Sequence, residues 1–108
     1  MSLGRAGEDY LEAILLLRRR KGSVRAVAIA EELGVSRASV CVALKGLREK
    51  GCIIVDEDNE IYLTALGQKI AESVNERRQL FLALFVQLGI NQEPAAWSMQ
   101  SVERALRH

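Results

Sequence analysis

The chain has 108 residues, enough for one domain and too few for two ordinary ones. Hydrophobic residues make up 49% and charged residues 27%, which excludes a disordered chain and fits a soluble globular protein. The net charge of +1 hides an asymmetry: ten Lys/Arg against six Asp/Glu in residues 1–50, and five against eight in residues 51–108. A basic half on a near-neutral whole suits a face that meets a polyanion. No apolar run approaches a membrane span, and the N-terminus lacks the pattern of a secretory signal. Cys41 and Cys52 form no CxxC pair. A cytoplasmic protein with two reduced thiols and no membrane partner is expected.

The first helix is expected from about Ala6 to Arg20, with Tyr10, Ile14 and Leu17 on one face, flanked by Leu11 and Leu15. Arg18-Arg19-Arg20-Lys21 gives it a cationic end suited to the helix dipole, and Gly22 ends it. Asp9 and Glu12, three residues apart, project from one face of this helix. They fit N-terminal charges, a catalytic pair, or half of a metal site.

Residues 23–51 predict two short helices joined by a tight turn. Ile29, Ala30 and Leu33 mark the first, Gly34 punctuates it, and Val35 is expected to tuck into the core. Ser36 can cap the second helix, on which Val40, Leu44 and Leu47 share a face before Gly51 stops it. This is a helix-turn-helix pattern. Residues 52–64 then change period. Cys52-Ile53-Ile54-Val55 and Ile61-Tyr62-Leu63 are β-prone, and Asp56-Glu57-Asp58-Asn59 supplies the turn of a hairpin, the wing of a winged helix. Thr64 can cap a long helix from about Ala65 to Leu88, with Ile70, Val74, Leu80, Leu84 and Leu88 as its apolar stripe and Gly89 at its end. Pro94 opens a last helix running towards His108. The fold class is mainly α with a small β-hairpin: a winged helix-turn-helix followed by two helices.

In a helix-turn-helix the second helix enters the major groove with its N-terminal residues at the base edges. Arg37, Cys41, Lys45 and Arg48 are expected on the face opposite Val40, Leu44 and Leu47, with Ser36 and Ser39 near the entry. Arg25 joins them as a DNA-binding candidate. Arg37 suits a bidentate bond to guanine O6 and N7 or a grip on phosphate. Lys45, Arg48 and Lys50 are better placed for phosphates. The plain alternative is a solvated cationic face. Cys41 reads as a small residue packed beside DNA, or as a redox-sensing thiol if its neighbours lower its pKa. The wing is acidic: Asp56, Glu57, Asp58 and Glu60 are expected to repel phosphate, so the wing stands off the DNA or is a plain solvated turn.

The order EDYLEAI…KGSVR…IAEELGVSRASV…LREKG…YLTALGQKIA resembles the iron- and manganese-dependent transcriptional repressors of the DtxR/MntR type, from about Glu8 to the end. The resemblance implies a probable-repressor role, a homodimer, palindromic double-stranded operators and control by a divalent metal. It divides the chain into a DNA-binding winged helix-turn-helix over residues 1–64 and a helical dimerisation and metal-sensor-like region over 65–108, packed as one domain. In manganese-type members the ligands are an Asp-x-x-Glu pair on the first helix, a His on the long helix, and a Glu-x-x-Glu-His motif on the next. Asp9 and Glu12 match the pair. The long-helix His falls on Arg78, and the last motif falls on Gln100, Glu103 and Arg104, so three carboxylates remain and both imidazoles are gone. Arginine offers no lone pair to a metal. The site is therefore expected to be degraded and the regulator metal-independent, with no cofactor, unless the residual carboxylates and Gln100 still take Mn²⁺ or Fe²⁺. Arg78 and Arg104 would then stand where metal charge stands, facing Asp9, Glu12 and Glu103.

Relatives place Ser-Asp where this chain has Val27 and Ala28, so Ser23 caps that helix from upstream or its end frays. Leu80, Phe81, Leu84, Phe85, Leu88 and Trp97 offer apolar surface for the dimer. The alternative is a winged-helix protein–protein interaction module with little DNA binding. An enzyme is not expected, because no Ser-His-Asp or Cys-His set is available around the single terminal His108.

Overall fold

The computed structural model describes residues 3–88. It divides into two compact units, Met1–Val74 and Asn75–His108. In the first, helix α1 (Gly4–Lys21), helix α2 (Ala26–Leu33) and helix α3 (Arg37–Glu49) are followed by strands β1 (Ile53–Val55) and β2 (Ile61–Leu63). Helix α4 (Ala65–Gln87) begins in the first unit and continues into the second.

Helix α1 begins at Gly4, two residues earlier than expected, and its first turn holds no acid. Asp9 and Glu12 therefore stand in the body of the helix and are not helix-end charges. Gly22 closes the helix in a left-handed conformation (φ 77°) that few other residues adopt, donating its N–H to the Arg18 carbonyl at 2.9 Å. The apolar face of α1 packs on α2, α3 and β2. Leu11, Ile14, Leu17, Val24, Ile29, Val40, Cys52 and Ile61 are the largest fully buried side chains of the core.

Helix α2 has Arg25 at its N-cap with no side-chain cap. Ser23 does not cap it, because its hydroxyl donates to Glu60 instead. The Arg25 carbonyl takes the N–H groups of Ala28 and Ile29, which orders that end by backbone alone. Val35 also departs from expectation. After Gly34 (φ 66°) its N–H returns to the Ala30 carbonyl, and its side chain is left 38% exposed on the outside of the turn. Ser36 does cap α3, its Oγ accepting the Ser39 N–H at 3.1 Å. Val40, Leu44 and Leu47 are buried as the spacing requires.

The hairpin pairs Ile53 with Leu63, Ile54 with Tyr62 and Val55 with Ile61, antiparallel. Its turn is built by Asp56, whose Oδ1 accepts the N–H groups of Asp58 and Glu60, both at 2.9 Å. Thr64 caps α4, accepting the Gly67 N–H at 3.1 Å while donating to the Gly51 carbonyl at 2.6 Å. In the part of α4 that lies in the first unit Ala71 and Val74 are buried and Ile70 half-buried. In the second unit Leu80 and Leu88 of the expected stripe are exposed and Leu84 is half-buried, while Phe85 is buried. Trp97 and the helix expected after Pro94 lie outside the described residues.

Candidate nucleic-acid interface

A groove of about 670 Å³ runs between α3 and the wing. Arg25, Arg37, Lys45 and Arg48 line it with Cys41, and Asp58 and Asn59 stand on its wing side. Four cations against one carboxylate make it electropositive. The cationic residues do not sit opposite the α3 core face as expected. At about 100° per residue they lie roughly a quarter turn round the helix from Val40, Leu44 and Leu47, and Leu44 itself reaches the groove wall. The position opposite the core belongs to Ala38 and to Val42, which is 74% exposed. The missed feature was legible in the 3.6-residue period, since residues 37, 41, 45 and 48 advance by four, four and three from a start three residues before Val40.

At the entry to α3, Ser36 and Ser39 are exposed, and the Ser36 hydroxyl donates to Ser39 Oγ at 3.0 Å. The two serines thus order the first turn of α3, on which Arg37, Ala38 and Ser39 are exposed. Cys41 is exposed and Cys52 buried, both as free thiols. Lys50, the α3 C-cap, is exposed outside the groove lining.

Two of the four wing acids are occupied by structure. Asp56 holds the turn. Glu60 is buried and faces inward, contrary to its expected place among the phosphate-repelling acids. Its carboxylate accepts the Val24 N–H at 2.7 Å and the Ser23 hydroxyl at 3.0 Å, and pairs with Arg18 at 2.9 Å. The Val24 N–H, helped by Ser23 and Arg18 and opposed by burial, holds the Glu60 carboxyl below its ordinary value of 4.5. Arg18 also donates to the Gly22 carbonyl at 3.0 Å and to the Ile61 carbonyl, and its guanidinium lies 4.5 Å over the Tyr62 ring. Arg18 was treated only as a helix-end cation, yet it stands four residues after Ile14 on the apolar row of α1. That position was the available sign that it turns inward. Nothing in the alternation of β2 marked Glu60.

Of the metal-site candidates, Asp9 is half-buried and Glu12 only 4% exposed, one helical turn apart on α1. Arg78 is half-buried on α4, in the second unit. Gln100, Glu103, Arg104 and His108 lie outside the described residues. Among the described residues no three His, Cys, Asp or Glu side chains gather in a way that can hold a metal ion.

Residues 2–61 match the family model described as iron dependent repressor, N-terminal DNA binding domain. The transcriptional regulator MntR of Escherichia coli O6:H1 is 35% identical over 96 residues, covering 89% of this chain and 62% of that protein. The HTH-type transcriptional regulator MntR of Bacillus subtilis (strain 168) is 29% identical over 99 residues, covering 92% of this chain and 70% of that protein. The chain thus spans less than two thirds of the length of its Escherichia coli relative. Its fold is similar to that of Lactococcus lactis ZitR, solved in complex with DNA, with a TM-score of 0.64 at 23% identity over 92% of this chain and 68% of that one. The family match spans more than half of the sequence, over the helix-turn-helix and most of the wing, and this chain belongs to the iron-dependent repressor family.

Proposed function

We propose that this chain is the DNA-binding part of a transcriptional repressor that reads double-stranded DNA with α3. The observation that carries this is the groove in which Arg25, Arg37, Lys45 and Arg48 converge beside a well-capped helix. Lys45 and Arg48 grip phosphates, Arg37 reaches a base edge or a phosphate, and Ser36 and Ser39 present the first turn. The regulator works as a homodimer on a palindromic operator, one α3 per half-site. Exposed Leu80 and Leu88 on α4, with half-buried Phe81 and Leu84, supply apolar surface for that dimer; Phe85, expected to join them, is buried.

The repressor needs no metal. The family's donor set combines carboxylates with imidazoles, and the described residues offer Asp9 and Glu12 with Arg78 at the third position. A guanidinium stays protonated and cannot ligate. Carboxylates with arginine at the family's imidazole position do not fit the usual transition-metal site, and any residual binding of Mn²⁺ or Fe²⁺ would be weak. The test is binding of a duplex selected from a random-sequence pool, in chelator and with Mn²⁺, Fe²⁺, Zn²⁺ or Co²⁺ added. Equal affinity throughout supports this reading. Micromolar metal that switches on binding contradicts it.

One observation favours a second reading. Ile54 and Tyr62 are paired across the hairpin and both exposed, at 58% and 43%, on a wing with an acidic tip. Such a face suits a protein partner. Absence of duplex binding even at low salt would select this interaction module over the repressor.

A further inference from the structure

Arg18 joins two pieces of chain that are distant in sequence, the end of α1 and the start of β2. Its guanidinium holds the Gly22 carbonyl at the end of α1, the Ile61 carbonyl at the start of β2, and the Glu60 carboxylate just before it. Glu60 in turn holds Ser23 and the Val24 N–H, and the Ile61 N–H donates to the Val24 carbonyl at 2.9 Å. The bonds on Glu60 therefore fasten the turn end of the wing, beside the Val55–Ile61 pair, to the connection between α1 and α2.

This fastening stands behind two walls of the groove. Arg25, which lines the groove, directly follows Val24 in the chain. Asp58 and Asn59, on the other wall, directly precede Glu60. A hairpin of two three-residue strands is marginal alone and takes its orientation from the contacts that hold it. Asp56 holds the N–H groups of Asp58 and Glu60 together, so Asp58 and Asn59 shift with Glu60 when its hold on Val24 and Arg18 is lost.

We infer that Arg18 and Glu60 are positioning residues for DNA recognition: they set the separation of the wing tip and Arg25 from α3, and so the base pairs that the groove accepts. This rests on the DNA-binding reading given above. Neither residue lines the groove, so neither has to touch DNA to act. Arg18 works through a planar, multidentate guanidinium. Lysine would keep the charge opposite Glu60 but cannot serve Gly22, Ile61 and Glu60 in the same geometry. The effect falls on discrimination between sequences and spares the phosphate grip of Lys45 and Arg48, because those side chains are carried by α3.

The test uses the whole 108-residue chain and a random-sequence duplex pool, with sequencing of the bound fraction. Wild type, Arg18→Lys, Arg18→Met and Glu60→Gln are compared, with helix content and thermal midpoint measured for each. In folded Arg18→Met the ratio of selected-site to random-duplex affinity is expected to fall about tenfold, while random-duplex affinity at low salt stays within about twofold. Arg18→Lys and Glu60→Gln should fall between it and wild type, and they decide the question if Arg18→Met does not fold. Unchanged enrichment in the folded variants overturns the inference, as does an equal loss on selected and random duplexes. A wild-type chain that binds duplex and enriches a site leaves the DNA reading standing in either case. A wild-type chain that binds no duplex overturns both.

Discussion

The Cα of Gly67, in the first turn of α4, lies against the backbone carbonyl of Cys52, so closely that a Cβ at 67 would fall far inside the van der Waals distance of that oxygen. The same carbonyl accepts the Thr64 N–H at 3.0 Å, which fixes it in place. The wing's entry and the start of α4 are thereby packed at backbone distance.

Gly67→Ala should therefore destabilise the protein, although alanine is the better helix former by about 1 kcal/mol. Overpacking against a backbone group that cannot step aside costs about 1–3 kcal/mol. Urea unfolding is expected to show a net loss of up to about 2 kcal/mol. A gain in stability would mean that α4 does not approach Cys52 this closely.

Glu60 gives the stability a defined pH dependence. Its folded-state pKa is lowered, chiefly by the Val24 N–H, so the ionised form favours folding. That contribution is present above the ordinary carboxyl value of 4.5 and is lost as pH falls through the lower, folded value. Thermal midpoints should show wild type above Glu60→Gln at neutral pH, with the gap closing below about pH 4.5. A constant gap from pH 7 to pH 3 would contradict an ionic role for Glu60.

The Ser36 cap can be read separately. Ser36→Ala removes the acceptor of the Ser39 N–H and should cost about 1 kcal/mol of stability. Because the same turn faces outward at the entry to α3, duplex affinity should drop in the same variant. Unaltered stability in denaturant unfolding would show that the cap contributes nothing in solution.

The four groove cations should divide by role. Lys45→Ala and Arg48→Ala should weaken binding to all duplexes alike and each reduce the salt slope by about 1. Arg37→Ala, if its side chain reaches a guanine, should relax preference at one base pair by about 1–3 kcal/mol. Competition binding on single-base variants of a selected duplex separates the two behaviours.

Much of the fold was legible because its signals are local. Ser36 and Thr64 stand where caps must stand, Gly22 and Gly34 take left-handed conformations, and the alternation of residues 53–55 and 61–63 gives the hairpin. The site was legible in its membership and less so in its orientation. Arg37, Cys41, Lys45 and Arg48 share a face, but the groove they form depends on where the wing stands, which no local pattern encodes. Glu60 was missed for the same reason: its partners Val24 and Arg18 lie 36 and 42 residues away in the chain. Val35 was misplaced because hydrophobicity alone does not tell which side of a left-handed turn a side chain leaves from.

The most direct test of the central claim is a salt titration of duplex binding by the wild-type chain. Capture of duplex by the α3 groove predicts measurable affinity at low salt, with log K falling linearly against log salt by about 0.9 for each phosphate neutralised. Four groove cations set a slope near −3 to −4 for each protomer engaged, and about twice that for a dimer on both half-sites, reached equally in chelator. No binding at low salt, or binding that does not respond to salt, would contradict the account.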